Sequence, residues 1–152
     1  MPTQIVQLTA LIDNAGTVTG SFDNFGLTLE SDDTSPGLVG TLSAGLGTNE
    51  VINVYRDEVF IGIATVVGLD WSFNDSGLSN GSTYSYTAQV FNTVDTTTPY
   101  GGLSAELLVH VDTTASSAVA VIVSYDDDIG SIISDHSTAA TTDDDAPTLQ
   151  RH

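Results

Sequence analysis

The sequence predicts an all-β chain that folds as a sandwich of two antiparallel sheets. Apolar residues recur at every second position, which is the period of a half-buried strand. Turn-forming residues such as Gly, Asn, Asp, Ser and Thr interrupt this alternation about every ten residues, and no segment has the period of an amphipathic helix. About seven short strands joined by polar turns are typical of the immunoglobulin-like β-sandwich.

The predicted strands follow one another through the first three quarters of the chain. They cover residues 5–11, 38–42, 51–56, 59–67, 71–73, 84–91 and 105–111. Alternation assigns one side of three strands to the core, namely Ile52, Val54, Trp71, Phe73, Tyr84, Tyr86, Ala88 and Val90. Leu78 precedes Tyr84 across Asn80 and Gly81, a spacing that predicts a tyrosine corner, in which a buried ring ties its hydroxyl back to the preceding turn.

The charge of the chain narrows the classes of function. It has 20 acidic residues against two basic ones and a formal net charge of −18 at pH 7. Nucleic-acid binding needs many Lys and Arg side chains that neutralise phosphates, so no nucleic-acid partner is expected, and the same balance argues against anionic lipid. No apolar run approaches the ~18 residues of a membrane span, so no direct membrane insertion is expected. The start Met-Pro-Thr-Gln lacks the features of a secretory signal peptide, and the chain is expected to be part of a longer protein.

The kind of acidic residue points to a bound cation. Sixteen of the acidic residues are Asp and four are Glu, and Asp is a short carboxylate that sits readily in turns. The chain has no Cys and no Lys, so disulfides, zinc-thiolate sites and Lys–Asn crosslinks are excluded. Ca²⁺ prefers clustered carboxylate oxygens on loops, and it is the expected cofactor. The alternative is that the charge only keeps the protein soluble.

Two sequence phrases recur in the same order. Residues 12–18 are echoed 114 positions later by 126–132, and residues 31–38 are echoed 111 positions later by 142–149. This pattern predicts a tandem unit of about 110 residues. Residues 3–112 are then one whole domain, 113–150 are the N-terminal fragment of the next repeat, and 151–152 are a remnant outside the repeat.

The order of several short phrases resembles the bacterial Ig-like repeats of giant biofilm and ice-adhesion proteins, the RTX adhesins that leave the cell by type I secretion. The matching phrases are Asp32-Asp33-Thr34-Ser35-Pro36, Gly40-Thr41, Val54-Tyr55, Ile61-Gly62, Ala64-Thr65, Trp71-Ser72-Phe73, Tyr84-Ser85-Tyr86-Thr87-Ala88 and Val111-Asp112-Thr113-Thr114-Ala115. Two features depart from the family pattern. Ser116 stands where the family usually has proline, and residues 14–30 are long enough to carry a hairpin of their own.

The resemblance implies an extracellular spacer on the bacterial cell surface, in which calcium at the junctions stiffens a string of units. Its partners are neighbouring repeats of the same polypeptide, and the isolated unit is expected to be a monomer. In such a sandwich, the connection after the first strand and the end of the last strand lie at one pole. The expected calcium ligands from this unit and the next are Asp13, Asp32, Asp33, Asp112, Asp127, Asp128, Asp143 and Asp144. For each of them the alternative is a turn or strand-end cap.

No catalytic arrangement is evident, and no enzyme activity is expected. His110 alternates with apolar residues as a surface position of a strand, and nothing marks a nucleophile beside it. A calcium-dependent carbohydrate-binding sandwich is the alternative function. It would need exposed aromatic rings, but Trp71 is assigned to the core, and the exposed candidates Tyr55, Phe60 and Tyr100 form no evident row in the sequence.

Overall fold

The chain forms two compact units, Met1–Thr114 and Ala115–His152. The computed structural model describes residues 1–16, 19–23 and 26–114, and the backbone of 122–127, 134–136 and 148–151. The first unit consists of the following strands: β1 (Val6–Asp13), β2 (Gly20–Asp23), β3 (Thr28–Ser31), β4 (Gly37–Leu42), β5 (Glu50–Arg56), β6 (Val59–Ile63), β7 (Thr65–Val67), β8 (Asp70–Asn74), β9 (Ser82–Asn92), β10 (Tyr100–Leu103) and β11 (Leu107–Val111). Within the described part of the chain, no helix is long and apolar enough to span a bilayer.

The strands form the two sheets of a β-sandwich, as the sequence predicts. One sheet has the order β2-β1-β4-β8-β7 and the other has the order β3-β11-β9-β5-β6, with β10 also paired to β9. All pairs are antiparallel except β3 and β11, which run parallel from Thr28 opposite Leu108 to Ser31 opposite Val111. The N-terminal part of the chain therefore contributes strands to both sheets, with β1 in one sheet and β3 in the other.

The expected number of about seven strands is wrong, since the described residues of the first unit contain eleven. The predicted strand 59–67 is two strands, because the chain passes from one sheet to the other at the buried Ala64. Strands β2, β3 and β10 were not predicted. The expected hairpin within 14–30 is also wrong, because β2 and β3 join opposite sheets and do not pair with each other.

The core forms mainly where alternation predicts it, although Phe73 and Tyr84 are only partly buried against it. Ile52, Val54, Tyr86, Ala88 and Val90 are fully buried, and they pack with apolar residues of the facing sheet. These facing residues are Val6, Leu8, Leu11, Leu38, Leu42 and Trp71. Burial of a large aliphatic or aromatic side chain contributes about 1.5–3 kcal/mol, so this layer is the main source of stability.

The side chain of Trp71 fixes the packing of the first sheet. Its ring is 2% exposed, and its indole N–H donates to the carbonyl oxygen of Gln7 at 3.1 Å. The ring lies against Gly40 of β4, where a Cβ atom would stand 2.3 Å from the ring and 2.0 Å from the Gln7 carbonyl oxygen. Only glycine fits at this position, because real Cβ atoms do not approach other heavy atoms so closely.

Two tyrosines of β9 tie the strand to the loop before it. The hydroxyl oxygen of Tyr84 accepts a hydrogen bond from the amide of Ser79 at 2.9 Å, which is the contact of the predicted tyrosine corner, and Leu78 is buried. The hydroxyl of the buried Tyr86 donates to the carboxylate of Asp75 at 2.7 Å, and the guanidinium of Arg56 donates to the same carboxylate oxygen at 2.8 Å. One carboxylate thus joins β5 and β9 to the loop that follows β8.

Tyr86 is expected to make stability depend on alkaline pH. Burial and the hydrogen bond to Asp75 raise the pKa of the Tyr86 hydroxyl, whereas a tyrosine in the unfolded chain ionises at about pH 10. The stability from the neutral phenol is therefore complete below about pH 10 and is lost as the pH rises further. Thermal unfolding followed from about pH 8 to about pH 11 should show a steeper fall of Tm for the wild type than for Tyr86→Phe. Equal slopes would contradict this assignment.

The second unit contains a three-stranded sheet with the order β13-β12-β14. These strands are β12 (Ile122–Asp127), β13 (Ser134–His136) and β14 (Thr148–Arg151). Their pairing repeats that of β2-β1-β4. Tyr125 pairs with His136 and with Leu149, as Leu11 pairs with Phe22 and with Leu38. Both sheets also have a register shift at the same place, between Leu8 and Ala10 and between Ile122 and Ser124. The backbone correspondence has the same offsets as the two sequence echoes.

Candidate metal site

The candidate site lies at the turn that follows β1. Asp13 is the last residue of β1, and Asp33 follows β3; each is 2% exposed. The Asp13 carboxylate accepts hydrogen bonds from the Ser31 hydroxyl at 2.6 Å and from the Ala15 amide at 3.2 Å. The Asp33 carboxylate accepts from the amides of Ser35 at 2.7 Å and Asn14 at 3.2 Å. The sandwich therefore buries two carboxylates close to the same turn.

Ser31 connects the two buried carboxylates. Its hydroxyl donates to Asp13, and the same oxygen accepts from the backbone amide of Asp33 at 3.2 Å. Ser31 is itself 2% exposed and ends β3, which is held in the second sheet by the parallel pairing with β11. Ser31 of β3, in the second sheet, thus brings Asp33 close to Asp13, which ends β1 in the first sheet.

A third carboxylate, that of Asp32, lies at the same turn against the backbone of Gly16. A Cβ atom on Gly16 would be 2.0 Å from an oxygen of this carboxylate. Gly16 also has a φ of 67°, in the left-handed region that disfavours side chains. The left-handed φ favours glycine here, and the absence of a Cβ atom leaves room for the Asp32 carboxylate beside the turn.

Burial of two carboxylates in this way is energetically costly. An ionised carboxylate that leaves water loses several kcal/mol of solvation unless a cation or strong hydrogen bonds replace the water. The ion pairs among the described residues are those of the N-terminus with Asp95, Arg56 with Asp75, and His110 with Glu30. None of them involves Asp13 or Asp33. Hydrogen bonds from backbone amides and from Ser31 compensate in part, and a cation would compensate further.

Asp112 lies at the same pole but stands apart from the buried pair. Its backbone amide donates to the carbonyl oxygen of Ser31 at 2.9 Å, so the end of β11 runs beside the end of β3. The exposed side chain caps its own turn, accepting hydrogen bonds from the hydroxyl and the amide of Thr114. These two bonds lower the pKa of the Asp112 carboxyl. The Asp112 side chain therefore acts as a strand-end cap, which was the expected alternative to calcium binding.

The expected ligands thus have different outcomes. Asp13, Asp32 and Asp33 lie at one turn. Asp112 lies at the same pole, where its backbone amide, and not its carboxylate, bonds to Ser31. Among the residues that the structure describes, no group of three or more acidic, His or Cys side chains is arranged so that it could hold a metal ion. Asp127 ends β12, and nothing is described of its side chain; Asp128, Asp143 and Asp144 lie outside the described residues. Calcium binding therefore stays a prediction.

The structure also brings together aromatic residues that the sequence does not connect. Tyr55 and Phe60 pack edge to face with ring centroids 6.1 Å apart. Phe91 and Tyr100 pack with centroids 5.1 Å apart. Both pairs line one concavity on the outer face of the second sheet. The sequence shows no evident row of exposed rings, and Phe91 and β10, which carries Tyr100, complete an arrangement that only strand pairing reveals.

No family model matches the chain, and comparison with curated proteins and with solved structures finds no significant match to either. The resemblance to the adhesin repeats thus depends on the quoted phrases alone.

Proposed function

We propose that the first unit is a calcium-stabilised spacer repeat of a bacterial cell-surface adhesin. The observation that carries this proposal is the burial of Asp13 and Asp33 at one pole with no cationic partner among the described ion pairs. A divalent ion is the partner that such a pair would favour, since Ca²⁺ takes six to eight oxygen ligands and carboxylates supply them. Asp32, whose carboxylate lies against Gly16 at the same turn, would have to move to add a third side chain, because no three acidic side chains of the described residues are arranged to hold an ion as they stand.

The spacer role is supported by the internal repetition of the fold. The three strands of the second unit pair with the same partners, the same registers and the same irregularity as β2-β1-β4 of the first unit. A chain that begins the same sandwich twice is organised as an array of similar units. The candidate metal site lies at the pole where β11 ends and the chain leaves the first unit. A cation at this pole would stiffen the junction to the next unit.

The test is the thermal stability of the whole chain in calcium and in EDTA at equal ionic strength. An ion that binds only the folded state adds about 2.7 kcal/mol at a hundredfold excess over Kd. For a unit of this size the Tm should rise by about 10 °C. Magnesium at the same concentration serves as the control for screening of the net charge.

Asp13→Asn is the variant that connects this stabilisation to the site. The Asn side chain keeps the shape, and the Ser31 hydroxyl can reverse its role and accept from the new amide. We expect the variant to lose most of the calcium-dependent rise in Tm, while in EDTA it is at least as stable as the wild type, because a buried charge has been removed. The matched control is Asp70→Asn, an exposed position at the start of β8 that should keep the full rise. A wild-type Tm that is the same in calcium and EDTA would contradict the proposal.

A further inference from the structure

The outer face of the second sheet carries two aromatic pairs with amide side chains between them. Strand pairing places Tyr100 opposite Phe91 and Phe91 opposite Val51. The next row places Gln89 opposite Asn53 and Asn53 opposite Ile63, and the third row contains Tyr55 opposite Phe60. We call this surface the aromatic face; a concavity of about 350 Å³ lies on it and is lined by Val51, Asn53, Tyr55, Phe60, Ile63, Phe91, Thr93 and Tyr100.

This face is largely exposed although the sandwich core is complete without it, and of its four rings those of Tyr55 and Phe91 are half-buried. Phe60, Ile63 and Tyr100 are 51%, 55% and 52% exposed. On β5, Ile52 and Val54 alternate with the lining residues of this face and fill the core on the other side of the sheet. The two aromatic pairs are separated by the four residues from Val51 to Tyr55, which is about 13 Å along a strand. This span is too long for one six-membered ring and suits a chain of several.

The charge of the face differs from that of the molecule. None of the eight lining residues carries a carboxylate, ammonium, guanidinium or imidazole group, whereas the chain has a net charge of −18. An anionic ligand is repelled by that charge and finds no basic group on the face. A second copy of the chain is repelled for the same reason. An uncharged polar ligand avoids this cost.

We propose that the aromatic face binds a neutral oligosaccharide. Sugar rings have apolar faces of C–H groups that stack on aromatic rings, and their hydroxyl groups both donate and accept hydrogen bonds. The two aromatic pairs supply the stacking surfaces at either end of the concavity. Between them the amide of Asn53 offers a donor and an acceptor, and beyond Phe91 the hydroxyl of Thr93, which donates to the carbonyl oxygen of Asn49, can accept. Because the face has no carboxylate ligands, this binding is independent of calcium, unlike that of the carbohydrate module considered from the sequence.

The experiment is a titration of the isotope-labelled whole chain with neutral hexasaccharides, followed by amide chemical shifts. Cellohexaose, maltohexaose and chitohexaose are the probes, and an anionic hexagalacturonate is the charge control. We expect at least one neutral probe to shift amides of β5, β6, β9 and β10, in EDTA as well as in calcium. The anionic probe should shift none of them.

Three exposed substitutions test the face itself. Tyr100→Ala and Phe60→Ala should each raise Kd about tenfold, which corresponds to about 1.4 kcal/mol for one stacked ring. The matched control Val67→Ala removes an exposed apolar side chain of β7, in the other sheet, and should leave Kd unchanged. The proposal is overturned if no neutral probe shifts this face, or if the three variants bind alike. It is also overturned if sedimentation at raised salt shows a dimer that Tyr100→Ala abolishes, since a second copy would then cover the face.

Discussion

Replacing Gly40 by alanine is expected to lower the free energy of unfolding by about 3 kcal/mol, at the upper end of the usual cost of an overpacked core. The added Cβ atom would stand 2.0 Å from the carbonyl oxygen of Gln7 and 2.3 Å from the Trp71 ring. Neither neighbour can move cheaply, because the carbonyl belongs to the paired backbone of β1 and the ring fills the core. Relief would require β1 and β4 to separate or Trp71 to leave its hydrogen bond with Gln7.

Chemical denaturation of the variant and the wild type measures this cost. Gly45→Ala is the matched control, because a Cβ atom at that loop position meets nothing within 4 Å and the residue has no positive φ. Its stability should stay within about 0.5 kcal/mol of the wild type. A Gly40→Ala protein as stable as the Gly45→Ala protein would show that β4 and Trp71 do not pack as described.

Removal of the Asp75 carboxylate should have an effect of similar size. Asp75→Ala leaves the guanidinium of Arg56 and the hydroxyl of the buried Tyr86 without their shared acceptor. Loss of one partner of a buried ion pair costs about 3–5 kcal/mol, and the lower end applies because the Arg56 side chain is 26% exposed. We therefore expect the free energy of unfolding to fall by about 3 kcal/mol.

A double-mutant cycle separates the two contacts of Asp75. Tyr86→Phe removes the hydroxyl that donates to the carboxylate and should cost about 1.5–3 kcal/mol, the range for a bond to a charged group. In the Asp75→Ala background the same change should cost much less, because the hydroxyl has no acceptor left to lose. Additive effects of the two substitutions would show that Tyr86 and Asp75 do not interact.

The central strands could be predicted from the sequence because one of their faces is buried. In β5 and β9 every second residue must be apolar, and this alternation identifies both the strand and its core side, as Ile52, Val54, Tyr86 and Val90 show. The tyrosine corner was also predictable, since its spacing is local. Strands β2, β3 and β10 escape this reasoning, because β2 and β3 lie largely at exposed edges and β10 contains two consecutive glycines. These three strands are defined by pairing with neighbouring strands and not by an alternating pattern of their own.

The candidate sites also have local features that the sequence predicts and features that depend on strand pairing, which it does not predict. The sequence predicts that Asp13, Asp32, Asp33 and Asp112 converge at one pole as calcium ligands. In the structure the first three lie at the turn after β1 and the Asp112 side chain caps its own turn, and calcium binding stays a prediction. The role of Ser31 could not be inferred, since it depends on β3 crossing to the second sheet. The aromatic face was missed because Tyr55 and Tyr100 are far apart in sequence and meet only through β9.

The parallel pairing of β3 with β11 has a mechanical consequence. The N-terminus lies beside Asp95, near the end of β9 where β10 begins, whereas β11 ends at the opposite pole beside Ser31. Tension applied at the N-terminus passes first through β1 and β2, and once it reaches β3 it draws β3 and β11 past each other along their length. The hydrogen bonds between residues 28–31 and 108–111 are then loaded in shear all together and not opened one by one. Forced extension of the unit is then governed by the rate at which these bonds rupture together.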